Sequence, residues 1–165
     1  MTDLTFNLGG VRTNPLALFV TIVTAGVFST VAFDFFGQSL SPAFGYAKLA
    51  PVPLANAVIA TIFGQGWGPG AELLHYFAGV IAYPAGWVLI VEPLRRTFAP
   101  QIHWFAAAVG YGVILWVFAL YGMAHLIAGN APFLGFTGIT WVALWGHILF
   151  AVVTATVAHL RETRG

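Results

Sequence analysis

Cysteine is absent from the 165-residue chain. The sequence therefore has no disulfide framework, no thiolate metal site and no thiol nucleophile. Charge is also scarce, since only 7% of the residues are Asp, Glu, Lys or Arg, whereas a soluble domain has about 25%. So few charged side chains could not cover the surface of a soluble domain. We therefore predict an integral membrane protein.

Two functional classes find no support in the sequence. A formal net charge of +1 is too small to suggest nucleic-acid binding. Ser29, Ser39 and Ser41 have no histidine at short sequence distance, so no nucleophile pattern of an enzyme is present. We expect no catalytic residues. We also expect no cleaved signal peptide, because the first apolar run follows Asp3 and is long enough to span a membrane.

Long apolar runs are what the sequence does contain. A helix needs about 20 apolar residues to cross the hydrocarbon, and backbone groups in lipid must bond within their own segment. The runs that meet this length lie at about 16–36, 71–92, 104–128 and 138–159. The sequence thus predicts an all-α membrane protein, a four-helix transmembrane bundle that forms one domain over residues 1–165.

The basic residues predict an orientation for this bundle. Lys48 falls on one side of the spans, and five arginines fall on the other: Arg12, Arg95, Arg96, Arg161 and Arg164. By the positive-inside rule, both termini are then cytoplasmic, in a multi-pass protein of the bacterial inner membrane. The connection from Gly37 to Gly70 is then outside. Its segment PLANAVIATIF predicts a short helix that lies on the membrane or re-enters it, and connections of this length are usually functional.

Five ionisable residues fall in the outer half of the predicted bundle. Given a rise of about 1.5 Å per residue, His75 and His125 lie roughly 6 Å from the outer end of their helices, and His147 lies roughly 14 Å deep. Asp34 closes the first span and Glu72 opens the second at the same side. Ionisable groups inside a membrane are costly and suggest a functional site.

Axial ligation of a b-type haem is one chemistry that uses this set. Haem iron takes imidazoles from facing helices, and the two ligands must match in depth. His75 and His125 meet that condition on consecutive antiparallel helices. Gly79 lies one turn from His75, and clearance of this kind is needed for a porphyrin. The sequence predicts His75 and His125 as the metal ligands of haem b, and His147 as a residue that could replace either.

Other interpretations of the same residues stay open. Glu72-x-x-His75 has the spacing of the di-iron bundle motif, but such a site needs a second copy and further glutamates. Asp34, Glu72 and the histidines could instead form a proton or quinone site. Each histidine could also be a structural residue whose ring bonds a carbonyl or meets the headgroups.

Aromatic, histidine and small residues follow one another in a particular order along the last three spans. It consists of Trp67, His75, Gly79 and Tyr83, then YGVILW at 111–116, then Trp145 to His147. This order resembles a class of small four-helix bacterial inner-membrane proteins described as domains of unknown function. The resemblance covers most of the chain from about Gly66 and implies the four-helix fold. It implies no activity, and His125 is an addition to its pattern.

The sequence leads to two functional hypotheses. The first is an accessory integral-membrane subunit of a respiratory or photosynthetic electron-transfer complex, with a b-type haem near the periplasmic face. Its partners are the lipid bilayer and a larger membrane protein complex, with no nucleic acid. The alternative is a stand-alone small transporter, or a membrane scaffold protein without a cofactor.

Overall fold

The computed structural model describes residues 6–8 and 11–162 of the chain. Two short strands, β1 (Phe6–Leu8) and β2 (Val11–Thr13), pair in antiparallel fashion. The described chain then forms helices α1 (Pro15–Ala43), α2 (Pro51–Phe63), α3 (Gly68–Phe98), α4 (Trp104–Ile127) and α5 (Gly138–Glu162).

Four of these helices, α1, α3, α4 and α5, are long and apolar enough to cross a membrane. Apart from the short β1–β2 pair, the regular structure of the described chain is helical, which confirms the predicted all-α fold class with four candidate spans. Three of them exceed the predicted bounds, because α1 continues to Ala43, α3 runs from Gly68 to Phe98 and α5 ends at Glu162, whereas α4 ends at Ile127, one residue before its predicted end. Pro69 fits the start of α3, since proline is tolerated in the first turn of a helix. A helix is present where PLANAVIATIF predicts one. The side of the membrane on which it lies stays a prediction.

Local signals set several helix ends. The side chain of Asn14 accepts a hydrogen bond from the backbone N–H of Ala17 at 2.6 Å, and so caps α1. Gly64 follows α2 with φ of +80°, a conformation that glycine adopts without strain. At the start of α4, Nδ1 of His103 accepts from the N–H of Phe105 at 3.2 Å. His103 is therefore a capping residue.

The four long helices run up and down, so the bundle has two ends. Arg161 Nε donates to Thr21 Oγ1 at 3.0 Å, which joins the last turn of α5 to the first part of α1. His159 stacks on Trp104 with 5.1 Å between ring centroids, which brings the start of α4 to the same end. We call this the arginine end. The opposite end, where α1 and α4 finish, is called the Asp34 end.

A carboxylate ties the arginine end together. Glu92 is buried and accepts from Arg95 Nε and Arg96 Nε at 2.7 Å each. Arg96 also pairs with Glu162 of α5, and Arg95 donates to the carbonyl of Ile102 at 2.8 Å. The network connects α3, the α3–α4 loop and α5. Its charges satisfy one another, so we assign it a structural role.

Small residues allow the close contacts within the bundle. A Cβ added to Gly112 of α4 would lie 2.6 Å from Ile148 Cα and 2.8 Å from the His147 carbonyl of α5, so the two backbones touch there. Ser29 Oγ of α1 lies 2.7 Å from Thr154 Oγ1 of α5 in a buried hydrogen bond. Close backbone approach and polar contacts of this kind hold helices together in lipid.

Wide π-helical turns interrupt the long helices at Phe36–Leu40, Ala78–Ala82, Trp87–Val91 and Phe118–Ile127. Pro84 lies between two of these stretches in α3 and has no N–H to donate. Turns of this type are frequent at functional sites. Ala78–Ala82 and Phe118–Ile127 border the cavity described below.

The α4–α5 connection has an unusual backbone. Phe133, Leu134 and Phe136 have φ of 50°, 54° and 54°, in the left-handed region that non-glycine residues rarely adopt. Contacts hold them there, because the Phe133 carbonyl accepts from Thr140 Oγ1 at 2.5 Å and its ring lies 4.7 Å from that of Trp116. The strained turn closes part of the Asp34 end.

Candidate functional site

A cavity of about 570 Å³ lies between the helices in the Asp34 half of the bundle. Its walls are mostly aliphatic and aromatic side chains from all five helices and from the α4–α5 connection. None of its described lining residues is Asp, Glu, Lys or Arg. The polar side chains that line it are Thr30, His75, Tyr83, Asn130 and His147. Pockets with apolar walls and few polar groups are typical of small-molecule sites.

His75 forms a pair with Asp34 at one wall of this cavity. Its Nε2 lies 3.1 Å from Oδ1 and 3.2 Å from Oδ2 of Asp34, and both side chains are mostly buried, at 11% and 22% exposed. Asp34 Oδ1 also accepts from Gln38 Nε2 at 2.7 Å. The carboxylate therefore holds the imidazole edge in place. Glu72, which the sequence sets close to His75, is exposed and has no ion pair within the described residues.

A second contact lies one turn from this pair. Thr30 precedes Asp34 by four residues on α1, and Gly79 follows His75 by four on α3, so the two contacts are adjacent on the same helix faces. A Cβ added at Gly79 would clash with Thr30 Oγ1. Thr30 is 4% exposed, and its hydroxyl has no hydrogen-bond partner within residues 11–162. An orphaned buried hydroxyl is rare and suggests a missing partner.

An open groove lies on the other side of the two contacts between α1 and α3, Asp34–His75 and Thr30–Gly79. It is lined by residues of α1 and α3 that include Asp34, Gln38 and Tyr76, and Thr30 borders both the groove and the cavity. Asp34 lines the groove, whereas His75 lines the cavity. The pair therefore forms part of the partition between the two spaces.

His147 lies on α5 and is buried, at 6% exposed. Its Nδ1 is 2.7 Å from the carbonyl of Ala143 one turn earlier, and Phe33 packs edge-on against the ring at 5.1 Å between centroids. A carbonyl only accepts, so Nδ1 carries the ring proton. The Nε2 atom is left without a hydrogen-bond partner among the described residues. A neutral imidazole fixed in this way is also the form that ligates metals.

His125 is placed apart from this arrangement. Its Nδ1 lies 2.7 Å from the carbonyl of Asn130, and its ring contacts Tyr121 at 5.2 Å between centroids. It does not line the cavity, although Asn130 does. His125 therefore fixes the start of the α4–α5 connection.

The three predicted ligands are thus only partly brought together. His75 and His147 line one cavity, and His125 lies outside its lining. The predicted His75–His125 ligand pair stays a prediction, with two arguments against it: Nε2 of His75 faces Asp34, and His125 does not line the cavity that His75 lines. His125 and His147 both have Nδ1 bonded to a carbonyl and an Nε2 with no partner among the described residues, but of these two only His147 lines the cavity. Within the residues described, no group of three or more His, Asp or Glu side chains could hold a metal ion.

Sequence reasoning identified Asp34 as an outer-half carboxylate without pairing it to His75. The depth of the two residues on antiparallel helices was the signal available, but depth does not specify which helix faces point at each other. Thr30 was missed, because a threonine in an apolar helix usually bonds to a carbonyl four residues earlier, as Thr21 and Thr156 do here.

Comparison of the chain with protein-family models, with curated proteins and with solved structures gives no match.

Proposed function

We propose that the chain is an integral membrane protein that binds a lipophilic small molecule in the cavity between its helices, within an electron-transfer assembly. The observation that carries the proposal is the cavity of about 570 Å³ with His75 and His147 in an otherwise apolar wall. The apolar lining favours a ligand that partitions into the bilayer. The imidazoles favour one that also has a polar head.

Quinones and hydroquinones are the ligand class that best fits these walls. Their ring and tail are apolar, and their oxygens form hydrogen bonds of the kind that histidines and hydroxyls supply. Tyr83 and Thr30 add two hydroxyl groups to the same lining. A site of this class also agrees with a role in electron transfer, where such molecules carry electrons between membrane complexes.

Ligand binding to the protein in lipid nanodiscs tests the proposal. Isothermal titration with 2-decyl-1,4-hydroquinone, under nitrogen and with empty nanodiscs as the partition control, should give saturable binding. Ala82→Phe places a ring in the cavity that Ala82 lines, and it should weaken binding at least about tenfold. Ala106→Phe is the matched control, because Ala106 is exposed on α4 and does not line the cavity. Equal binding by both variants would contradict the proposal.

Haem b is a second candidate ligand, and the free Nε2 of His147 is the observation in its favour. With Nδ1 donating to Ala143, the ring presents the lone pair that an axial ligand needs. The chain then supplies one axial imidazole from α5. A reduced-minus-oxidised absorption spectrum of the purified protein tests this candidate. A b-type band that is lost in His147→Leu would support it, and the absence of any such band would remove it.

Membership of a larger complex is part of the same proposal and needs its own test. Extraction in a mild detergent followed by native electrophoresis should show the chain migrating with partner proteins. Migration as a free monomer would favour the alternatives, a stand-alone transporter or a scaffold protein. The ligand-binding experiment does not depend on that outcome.

A further inference from the structure

The hydrogen-bond role of His147 toward the cavity is determined by its own helix. The Ala143 carbonyl accepts from Nδ1 at 2.7 Å, so the single proton of the neutral ring is on Nδ1. No carboxylate contacts the ring within the described part of the chain, and an unpaired charge in an apolar wall is costly. Nε2 therefore offers a lone pair. Toward a ligand, His147 is a hydrogen-bond acceptor.

Asp34 determines the role of His75 in the same way. A carboxylate accepts and does not donate, so the Nε2 atom at 3.1 Å and 3.2 Å from its oxygens carries the proton. The N–H donor of Gln38 on Oδ1 agrees with an ionised carboxylate. Nδ1 is the nitrogen left to His75 for any other partner. In the neutral ring, Nδ1 therefore offers a second lone pair, from α3.

The groups around His75 and His147 do not change the hydrogen-bond role of either ring. Helix α2, which packs against this part of α3, has no ionisable residue. Tyr76 contacts the His75 ring at 5.2 Å between centroids but lines the groove rather than the cavity. The hydroxyls of Thr30 and Tyr83 can donate or accept, and the amide of Asn130 has both donor and acceptor groups, so none of the three discriminates between ligands. The two imidazoles are the groups with a fixed role.

We infer that the cavity selects a ligand whose head donates hydrogen bonds, namely a hydroxyl-bearing molecule, and that it prefers a hydroquinone to the quinone with the same skeleton. The inference rests on the proposed function, and it specifies which form of the ligand class is bound. A hydroxyl supplies the proton that each imidazole lone pair lacks. A carbonyl oxygen would leave both imidazoles unpaired in an apolar wall, and unpaired buried groups are what make polar sites selective.

Three ligands with one skeleton test the inference. We would titrate the protein in nanodiscs with 2-decyl-1,4-hydroquinone, with 2-decyl-1,4-benzoquinone and with the dimethyl ether of the hydroquinone. The ether keeps the oxygens but has no O–H. The hydroquinone should bind about ten- to a hundredfold more tightly than either of the others, the range expected for one or two buried acceptors that gain a partner.

Variants test whether the imidazoles of His147 and His75 cause the preference for the hydroquinone. His147→Leu should lower the ratio of hydroquinone to quinone affinity about tenfold. Asp34→Asn should lower it less, because an amide can donate as well as accept and so allows both tautomers of His75. His125→Leu is the matched control and should leave the ratio unchanged. Thermal unfolding of each variant in detergent shows whether it is folded.

The outcomes separate the two proposals. If none of the three molecules binds, the proposed ligand class fails. If the quinone or the ether binds as tightly as the hydroquinone, the selectivity is wrong and the ligand class stands. If the ratio survives in folded His147→Leu and in folded Asp34→Asn, the imidazoles do not set it, and the inference is overturned.

Discussion

The imidazole of His75 and the carboxylate of Asp34 meet across the contact between α1 and α3, with Nε2 3.1 Å from Oδ1. The contact places a proton on Nε2 of a ring that lines the cavity, and it forms part of the partition between the cavity and the open groove. Thr30 packs against the backbone of Gly79 one turn away, so the two helices are held in register by residues that also form the candidate site.

Asp34→Asn and His75→Gln should each lower the free energy of unfolding by about 1 kcal/mol, because a hydrogen bond to a charged group is lost or weakened. If the contact between Asp34 and His75 causes these losses, the two effects are coupled. The double variant should then lose less unfolding free energy than the sum of the two single variants. Unfolding by SDS in mixed micelles provides the measurement. Glu72→Gln is the control and should have no effect, since Glu72 is exposed. Strictly additive effects would show that the pair contributes nothing.

Thr30 and Ser29 are neighbours that should respond in opposite directions. Ser29 Oγ bonds to the Ala25 carbonyl and to Thr154 Oγ1, so Ser29→Ala should destabilise the fold by about 0.5–1.5 kcal/mol. Thr30 Oγ1 has no partner within residues 11–162, so Thr30→Val keeps the shape and should be neutral or stabilising. The same SDS titration compares them. A loss of stability in Thr30→Val equal to that of Ser29→Ala would mean that the hydroxyl is satisfied in the membrane.

Gly112 and Gly110 test the contact between α4 and α5. Gly112→Ala adds a Cβ within 3 Å of the α5 backbone and should destabilise by about 1–3 kcal/mol, since neither helix can yield locally. Gly110→Ala is two residues away and meets nothing within 4 Å. It should be neutral or slightly stabilising. Equal effects of the two substitutions would mean that the backbones are not in contact at Gly112.

The fold was largely predictable from the sequence, and the site only in part. Long apolar runs must become helices in lipid, so the four spans follow from composition and length. Side-chain partners depend on helix rotation, which small residues such as Gly112 determine through close contacts that the sequence pattern does not specify. For this reason the depth argument grouped His75 with His125, whereas the structure places His75 and His147 on one cavity.

The orientation of the bundle can be measured directly, because the chain has no cysteine. A single cysteine can be introduced by Phe63→Cys or by Phe98→Cys. Phe63 is the exposed last residue of α2, and Phe98 is the exposed last residue of α3. If the arginines face the cytoplasm, a membrane-impermeant maleimide should label Phe63→Cys in spheroplasts from outside. It should label Phe98→Cys only after permeabilisation. The reverse pattern would invert the predicted topology.

Nitrogen-15 NMR of the histidine side chains tests the central claim, that His147 offers its free ring nitrogen to a ligand in the cavity. The protein would carry ¹⁵N-histidine in nanodiscs, and His147→Gln would identify the signal. We expect a protonated Nδ1 and an unprotonated Nε2, with the Nε2 resonance moving toward the protonated range when 2-decyl-1,4-hydroquinone is added and staying in place with the dimethyl ether. A protonated Nε2 in the free protein, or a signal that bound hydroquinone leaves unchanged, would contradict the account.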